Sequence, residues 1–209
     1  MLKIILGILG ALALVVILLV STVIASYNGL VGQSQNVDAK WAQVQTVYQR
    51  RADLIPNLVN TVAGAANFEK STLTAITDAR ASVGRVQLDP SKAPTDAAQL
   101  AQYQSAQSQI SSALSRLLVV SENYPDLKSN TNFRDLQAQI EGTENRISVA
   151  RQDFNTAVQS YNTSIRTFPA VLLAGMLGFA SKPYFQADAG SQAAPKVNFD
   201  FGAPANPSH

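Results

Sequence analysis

The stretch Tyr48–Val62, YQRRADLIPNLVNTV, decides the fold. Tyr48, Arg51, Ile55, Leu58 and Val62 follow one another in steps of three and four, the spacing of one helix face. The same stripe extends upstream through Val44, Trp41 and Val37. A sustained 3.5-residue repeat is the mark of helices packed along a seam. Two features interrupt it. Arg51 stands on the stripe itself, with Arg50 beside it. Pro56 lacks the N–H that would bond the carbonyl of Ala52, and in a helix interior this costs roughly 3 kcal/mol. A restart of the chain with Asp53 as cap would break the phase of the stripe, and the phase is unbroken. The reading is a first helix kinked at Pro56.

Outward from this stretch, more helices follow. Gly64 can end the first helix, and Asn67 can cap a second carrying Leu73, Ile76, Arg80 and Val83. The loop GRVQLDPSKAPTDAA holds Gly84, Pro90 and Pro94. Thr95 or Ser91 can cap a third helix, with Asp96 in its first turn. That helix carries Leu100, Tyr103, Gln107, Ile110, Leu114, Leu117, Ser121 and Tyr124, and Pro125 is expected to stop it. DLKSNTN reads as a turn, with Ser129 and Asn130 as candidate caps. The fourth helix repeats Phe133, Leu136, Ile140, Thr143, Ile147, Ala150, Phe154, Ala157, Tyr161, Ser164 and Phe168, and is expected to end at Pro169. No strand alternation occurs. The fold expected is all-α: an N-terminal transmembrane helix followed by an antiparallel four-helix bundle with coiled-coil-like packing.

The N-terminus and C-terminus need separate treatment. No charged residue occurs from Ile4 to Ala25, a run of roughly 22 residues against the ~20 that a membrane-spanning helix needs. A cleaved signal peptide is the alternative, but the run exceeds the ~7–15 residues of a signal core, so a retained anchor over residues 1–26 is favoured. Lys3 lies unopposed before the run, which favours an inside N-terminus and a body outside the cytoplasm. The SYNGLVGQSQN stretch is either a neck or a continuation of the anchor helix. The bundle spans 27–168. Residues 169–186 include AVLLAGMLGFA, too short to cross a bilayer. This segment either folds back on the bundle end or lies at the membrane interface, with Phe168, Leu172, Leu177, Phe179, Tyr184 and Phe185 as the interface candidates. The Ala-, Pro-, Gly- and Ser-rich tail over 187–209 reads as disordered.

Chemistry has few places to reside. The sole histidine is His209, and cysteine is absent, so neither a Cys–His pair, a Ser–His–Asp triad nor a conventional zinc site can be assembled in the bundle. No phosphate-binding Gly-rich loop is present. No cofactor and no enzymatic activity are expected. Lys and Arg total 16 and Asp and Glu 14, and no basic patch suggests nucleic acid. Arg51 either lays its stem on apolar surface with its head in water or pairs inside the bundle with Glu144 or Glu141. A partly buried pair that fixes helix register is favoured.

Several motifs occur together and in order: YNGLV (27–31), QRRADLIPNLV (49–59), ENYPDLKSN.NF..LQ (122–137), EGTENRI..AR..FN.AV..YN..IR.FP (141–169), and GF followed by KPYF (178–185). From residue 27 to about 186 the chain resembles the LemA family of bacterial membrane proteins. The resemblance implies a single-pass protein of the cytoplasmic membrane, with no established enzymatic activity. It implies links to membrane stress, membrane-bound heat-shock-type proteases and other membrane proteins. Some family members are described with the bundle in the cytoplasm, against the charge reading. Within these motifs Arg50, Arg51, Pro56, Tyr124, Pro125, Glu144 and Arg146 are the candidates for structural or partner-binding roles. The function expected is a membrane-anchored, self-associating helical scaffold or interaction protein, with a membrane-shaping array protein as the alternative. The expected partners are the lipid bilayer and a second copy of the chain.

Overall fold

The computed structural model describes residues 2–64, 68–86 and 88–187. Among these the chain is all-helical, without strands. Its elements are α1 (Leu2–Ala63), α2 (Lys70–Gly84), α3 (Ala97–Ser121), α4 (Pro125–Ser129) and α5 (Thr131–Ser164), followed by a 3₁₀ turn at Ala170–Leu172.

The 62 residues of α1 form one helix, about 93 Å long at the standard rise. The apolar run therefore continues into the body through SYNGLVGQSQN without a neck. Side chains of the run are exposed, from Ile4 at 68 % to Ile24 at 54 %. The buried face begins at Leu30 and proceeds through Val37, Trp41, Val44, Tyr48, Arg51, Ile55, Leu58 and Val62. This is the stripe read from the sequence. The helix also passes Pro56 without a restart at Asp53. Pro56 lies on the exposed side, so the buried face keeps its phase on either side of it.

α1 packs against α5, and α2 against α3. Lys40 reaches Asp153 at 3.0 Å and Arg51 reaches Glu144 at 2.6 Å. Numbering rises along α1 as it falls along α5, so the two helices run antiparallel. Ser82 bonds Gln109 and Glu69 faces Arg116, which orders α2 and α3 in the same antiparallel way.

Several helix ends differ from the expectations. Asn67 lies outside the described residues, and Glu69 precedes α2. The buried residues of α2 are Thr72, Ile76 and Ala79, while Arg80 is exposed. Asp96 itself caps α3, accepting from Ala98 N at 2.7 Å; because the helix begins at Ala97, Asp96 and not Thr95 or Ser91 holds the position from which a side-chain oxygen reaches the unbonded N–H groups of the first turn. α3 ends at Ser121, and Pro125 opens the short α4 instead of closing α3. A first helical position suits proline, whose missing N–H is unbonded there anyway. Asn130 caps α5 through Phe133 N at 3.3 Å. α5 ends at Ser164, short of Pro169, because Arg166 and Thr167 donate to Thr163 and Ser164 in tight i→i+3 turns.

Beyond α5 the chain makes a compact loop of turns rather than a helix. Gly178 takes φ +80°, and Phe179 N donates to Ala174 O at 2.9 Å, the long-range bond of a glycine helix stop. The positive φ reverses the chain. Residues 180–187 then run as an extended strap along α5. Asn162 donates to Lys182 O and accepts from Lys182 N, both at 2.9 Å. Asn155 does the same for Phe185 at 3.1 and 2.9 Å, and Gln104 for Gln186 at 2.8 and 3.1 Å. Each amide satisfies both backbone groups of one residue, as a neighbouring strand would. Lys182 also pairs with Asp38 at 2.8 Å, and Asp38 accepts from Ala93 N at 3.0 Å. One carboxylate of α1 thus ties down both the strap and the loop between α2 and α3. Of the tail expected to be disordered over 187–209, Ala187 is the end of the strap and residues 188–209 lie outside the described residues.

Asn162 is buried. Asn162→Ala leaves both backbone groups of Lys182 without their partners, at about 1–3 kcal/mol. The expected outcome is a lowered melting temperature with faster hydrogen exchange at the Lys182 amide, measured on the intact protein.

Candidate functional site

The interior is divided by charge. One apolar cluster gathers Trp41, Tyr48, Tyr103, Ile147, Phe154, Tyr161 and Phe185; the other gathers Ile55, Leu58, Ile76, Ile110, Leu117, Phe133 and Ile140. Between them on α1 stands Arg51, 1 % exposed. Heptad spacing puts it on the buried face of α1, and the same spacing brings Gln107 of α3 and Glu144 of α5 to its level.

The guanidinium is closely enclosed. Nη1 donates to Glu144 Oε1 at 2.6 Å and to Ser111 Oγ at 2.7 Å. Nη2 donates to the backbone oxygen of Gln107 at 3.2 Å and to its side-chain oxygen. The ring of Tyr48 lies 5.2 Å from the guanidinium carbon. Nε has no partner. Three helices therefore meet at one cation. Moving Arg51 by one turn in either direction would place it within an apolar cluster, where burying a charge without partners is costly. The layer discriminates one register from its neighbours. Burial raises the Tyr48 phenol from 10.0 to about 12, against the lowering pull of Arg151 and Arg51. Tyr103 is raised as well, again by burial first.

Arg51 and Tyr48 form the floor of a groove between α3 and α5, with a volume of about 640 Å³. Ser105, Ser108, Ser111 and Ser112 line one wall, Ile147 and Arg151 the other, and Gln186 of the strap closes one end. A second hollow of about 340 Å³ adjoins it, sharing Ser111 and Glu144. Sequence reading missed this polar wall. The signal was present as a row, Gln104, Ser108, Ser111, Ser115, in steps of four, three and four.

The expected site residues fall in different places. Arg51 and Glu144 meet as anticipated, whereas Glu141 bonds Gln137. Arg50 and Arg146 are exposed, and Pro125 is exposed at the start of α4. Tyr124 is half-buried against Phe68, with ring centroids 4.8 Å apart. Among the interface candidates, Phe168 (75 % exposed) and Leu172 (65 %) are open, with Leu177 and Tyr184 less so. Phe179 is half-buried and meets the ring of Tyr27 at 5.8 Å. Phe185 is a correction. It is buried, stacks 6.2 Å from Trp41 and meets Phe154 at 5.4 Å. In an extended strap alternate side chains face opposite ways, so Tyr184 points out and Phe185 points into the core. Asp38, Lys182, Asn155, Asn162 and Gln104 were not singled out; their importance depends on where the strap returns.

An exposed apolar helix long enough to cross a membrane, continuous with a helical body, defines a class of membrane-associated helical proteins. The chain belongs to the LemA family, whose model matches residues 40–199. It is similar to magnetosome protein MamQ 2 of Paramagnetospirillum magneticum, 27 % identical over 190 residues, covering 82 % of this chain and 68 % of that protein. It is similar to magnetosome protein MamQ of Magnetospirillum gryphiswaldense, 26 % identical over 185 residues, covering 79 % and 66 %. Protein LemA of Metamycoplasma hominis is 26 % identical over 160 residues, covering 77 % and 68 %.

Two outcomes follow from the arginine layer. Glu144→Ala strands a buried cation and is expected to cost about 2–3 kcal/mol, below the full range for wholly buried pairs because Glu144 is partly exposed. Arg51→Met keeps most of the stem and leaves a carboxylate that water can reach, so it should cost less. The double variant should cost less than the sum. Denaturant melts of the four proteins measure this; additive effects would show that the pair is not coupled. The second outcome concerns alkaline pH. A raised phenol pKa means that the unfolded chain releases its proton first. Stability is full below about pH 10 and falls as pH rises towards about 12, by on the order of 2–3 kcal/mol for a shift of this size. Tyr48→Phe should flatten that fall in melts recorded from pH 9 to 12 (roughly the window between the two pKa values).

Proposed function

We propose that this protein is a membrane-anchored helical interaction protein of the bacterial cytoplasmic membrane, presenting the faces of its body to a second copy or to partner membrane proteins. The observation carrying this reading is the continuity of α1, from an exposed apolar run into the buried stripe. A helix without a hinge sets the body at a fixed height and rotation above the bilayer. In this reading Lys3 holds the N-terminus inside, and the body lies outside the cytoplasm. A link to membrane-protein quality control, implied by the family, would make a membrane-bound protease one such partner. A reporter active only outside the cytoplasm, fused to the C-terminus, is expected to give signal; a silent but stably made fusion reverses the orientation.

A second reading, a membrane-shaping protein that assembles into arrays, is favoured by the loop after α5. Phe168, Val171, Leu172 and Met176 are exposed, the last at 86 %. The loop lies beside α1 where Tyr27 meets Phe179, two residues beyond the apolar run. That level suits a membrane interface, where aromatic and apolar side chains can bury themselves among headgroups and acyl chains.

Flotation with liposomes of the chain lacking residues 1–26 separates the two. Binding that Leu172→Ser with Leu177→Ser weakens severalfold favours the second. Both leucines are exposed, so the melting temperature should change little, within the ±0.5 kcal/mol typical of surface changes. Absence of binding leaves α1 as the single membrane element and favours the first.

A further inference from the structure

We propose that the loop after α5 is a prefolded apolar wedge that recognises loose headgroup packing, and not headgroup charge, in the leaflet beside α1. This rests on the second reading, in which the loop meets the bilayer, and names what the loop selects there.

The loop has almost no charge to offer a lipid. No Asp, Glu, Lys or Arg occurs from Thr167 to Ser181. Of the two flanking cations, Lys182 is 8 % exposed and is committed to Asp38. Arg166 is exposed, with its Nη2 3.4 Å from the Ser181 hydroxyl. Attraction to anionic lipids grows with each Lys or Arg near the surface, and a single arginine gives little of it. Burial of apolar side chains is then the main source of affinity, and it is indifferent to headgroup charge.

The loop is also folded before it meets lipid. Val171 N donates to Thr167 O at 2.9 Å, Ala174 N to Ala170 O at 2.8 Å and Leu177 N to Leu173 O at 2.9 Å. Backbone groups bonded inside the loop lose no water partners on entering an apolar phase. These turns reach back four residues, and side chains four apart share a face. Phe168, Leu172 and Met176 follow at that spacing, 75, 65 and 86 % exposed, while Ala174 is buried. The far end of the loop is fastened to both long helices: Phe179 meets Tyr27 of α1, and Tyr161 of α5 donates to Ala180 O at 3.0 Å. The apolar side therefore has a set shape and a set place beside the end of the apolar run.

Shape without charge determines the preference. Bulky apolar side chains entering one leaflet need room between headgroups. That room is easier to open where the headgroups are already spread, which is why apolar interfacial segments respond to lipid packing. A basic segment would be drawn to an anionic surface however tightly packed; this loop is left with packing as its criterion.

The absence of cysteine makes the test direct. Full-length protein carrying Met176→Cys takes one NBD dye, which brightens and shifts to the blue in an apolar environment. It is reconstituted into vesicles of dioleoyl phosphatidylcholine, into the same lipid tightened with cholesterol, and into vesicles with part of that lipid replaced by dioleoyl phosphatidylglycerol. Brominated acyl chains report contact with lipid. Quenching is expected to be severalfold stronger in the loose than in the tightened vesicles, and unchanged by phosphatidylglycerol. A dye at Phe168→Cys should repeat this result. A dye at Val149→Cys, exposed at mid-length on α5, should stay unquenched throughout. Leu172→Ser in the Met176→Cys protein should weaken quenching in the loose vesicles, with circular dichroism confirming an unchanged helix content. Equal quenching in loose and tightened vesicles overturns the proposal but keeps the loop at the bilayer, as in the second reading. Quenching that requires phosphatidylglycerol overturns it in favour of charge recognition. No quenching in any vesicle overturns both the proposal and the second reading.

Discussion

One buried cation organises the body. Arg51 donates to Glu144, Ser111 and Gln107, and these four residues come from three helices. Apolar clusters on either side would tolerate small slides of one helix past another, since Leu, Ile and Val stripes are interchangeable over a turn. A guanidinium does not tolerate them, because its partners stand at one level. The layer is therefore better understood as a choice of register than as a source of stability. Taking the pair out of water cancels much of its Coulomb gain.

The strap extends the same logic to irregular chain. Residues 180–187 have no helix or sheet of their own, yet the backbone groups of Lys182, Phe185 and Gln186 are bonded by side-chain amides. This allows Phe185 to enter the aromatic cluster around Trp41 while its neighbours remain at the surface. Asp38 fixes the strap at one point and the loop between α2 and α3 at another. Trp41 adds a further tie by donating to Asp89 O at 3.1 Å. Both the strap and that loop thus depend on one short stretch of α1, and the half of the body nearer the apolar run is held by polar bonds around an aromatic core. The half beyond Arg51 is held mainly by aliphatic contact.

The two ends of α1 are chemically opposite parts of one rod. Its first turns expose Leu, Ile and Val on every side, and its later turns bury a single stripe. The loop after α5 stands beside the transition, through the Tyr27–Phe179 contact. One unbroken helix joins the apolar run to the body.

The helices, the apolar run and the stripe from Val37 to Val62 were legible in the sequence because helical periodicity repeats a local rule over many turns. Arg51 on that stripe, with Glu144 one turn from Glu141, was legible for the same reason. The sequence also carried the family, through motifs in order from YNGLV to KPYF. Helix ends were less legible. Pro125 serves to open α4, and Asp96 caps α3, because the choice among neighbouring caps depends on which N–H groups the fold leaves unbonded. Phe185, Lys182, Asn155 and Gln104 could be placed only by tertiary structure. An extended segment has no periodicity long enough to read, and the side chains that bind it lie 15 to 144 residues away in sequence. Which face of Tyr184–Phe185 turns inward is decided by the turn at Gly178 and by the spacing of amides on α5, neither of which any local pattern within the strap records.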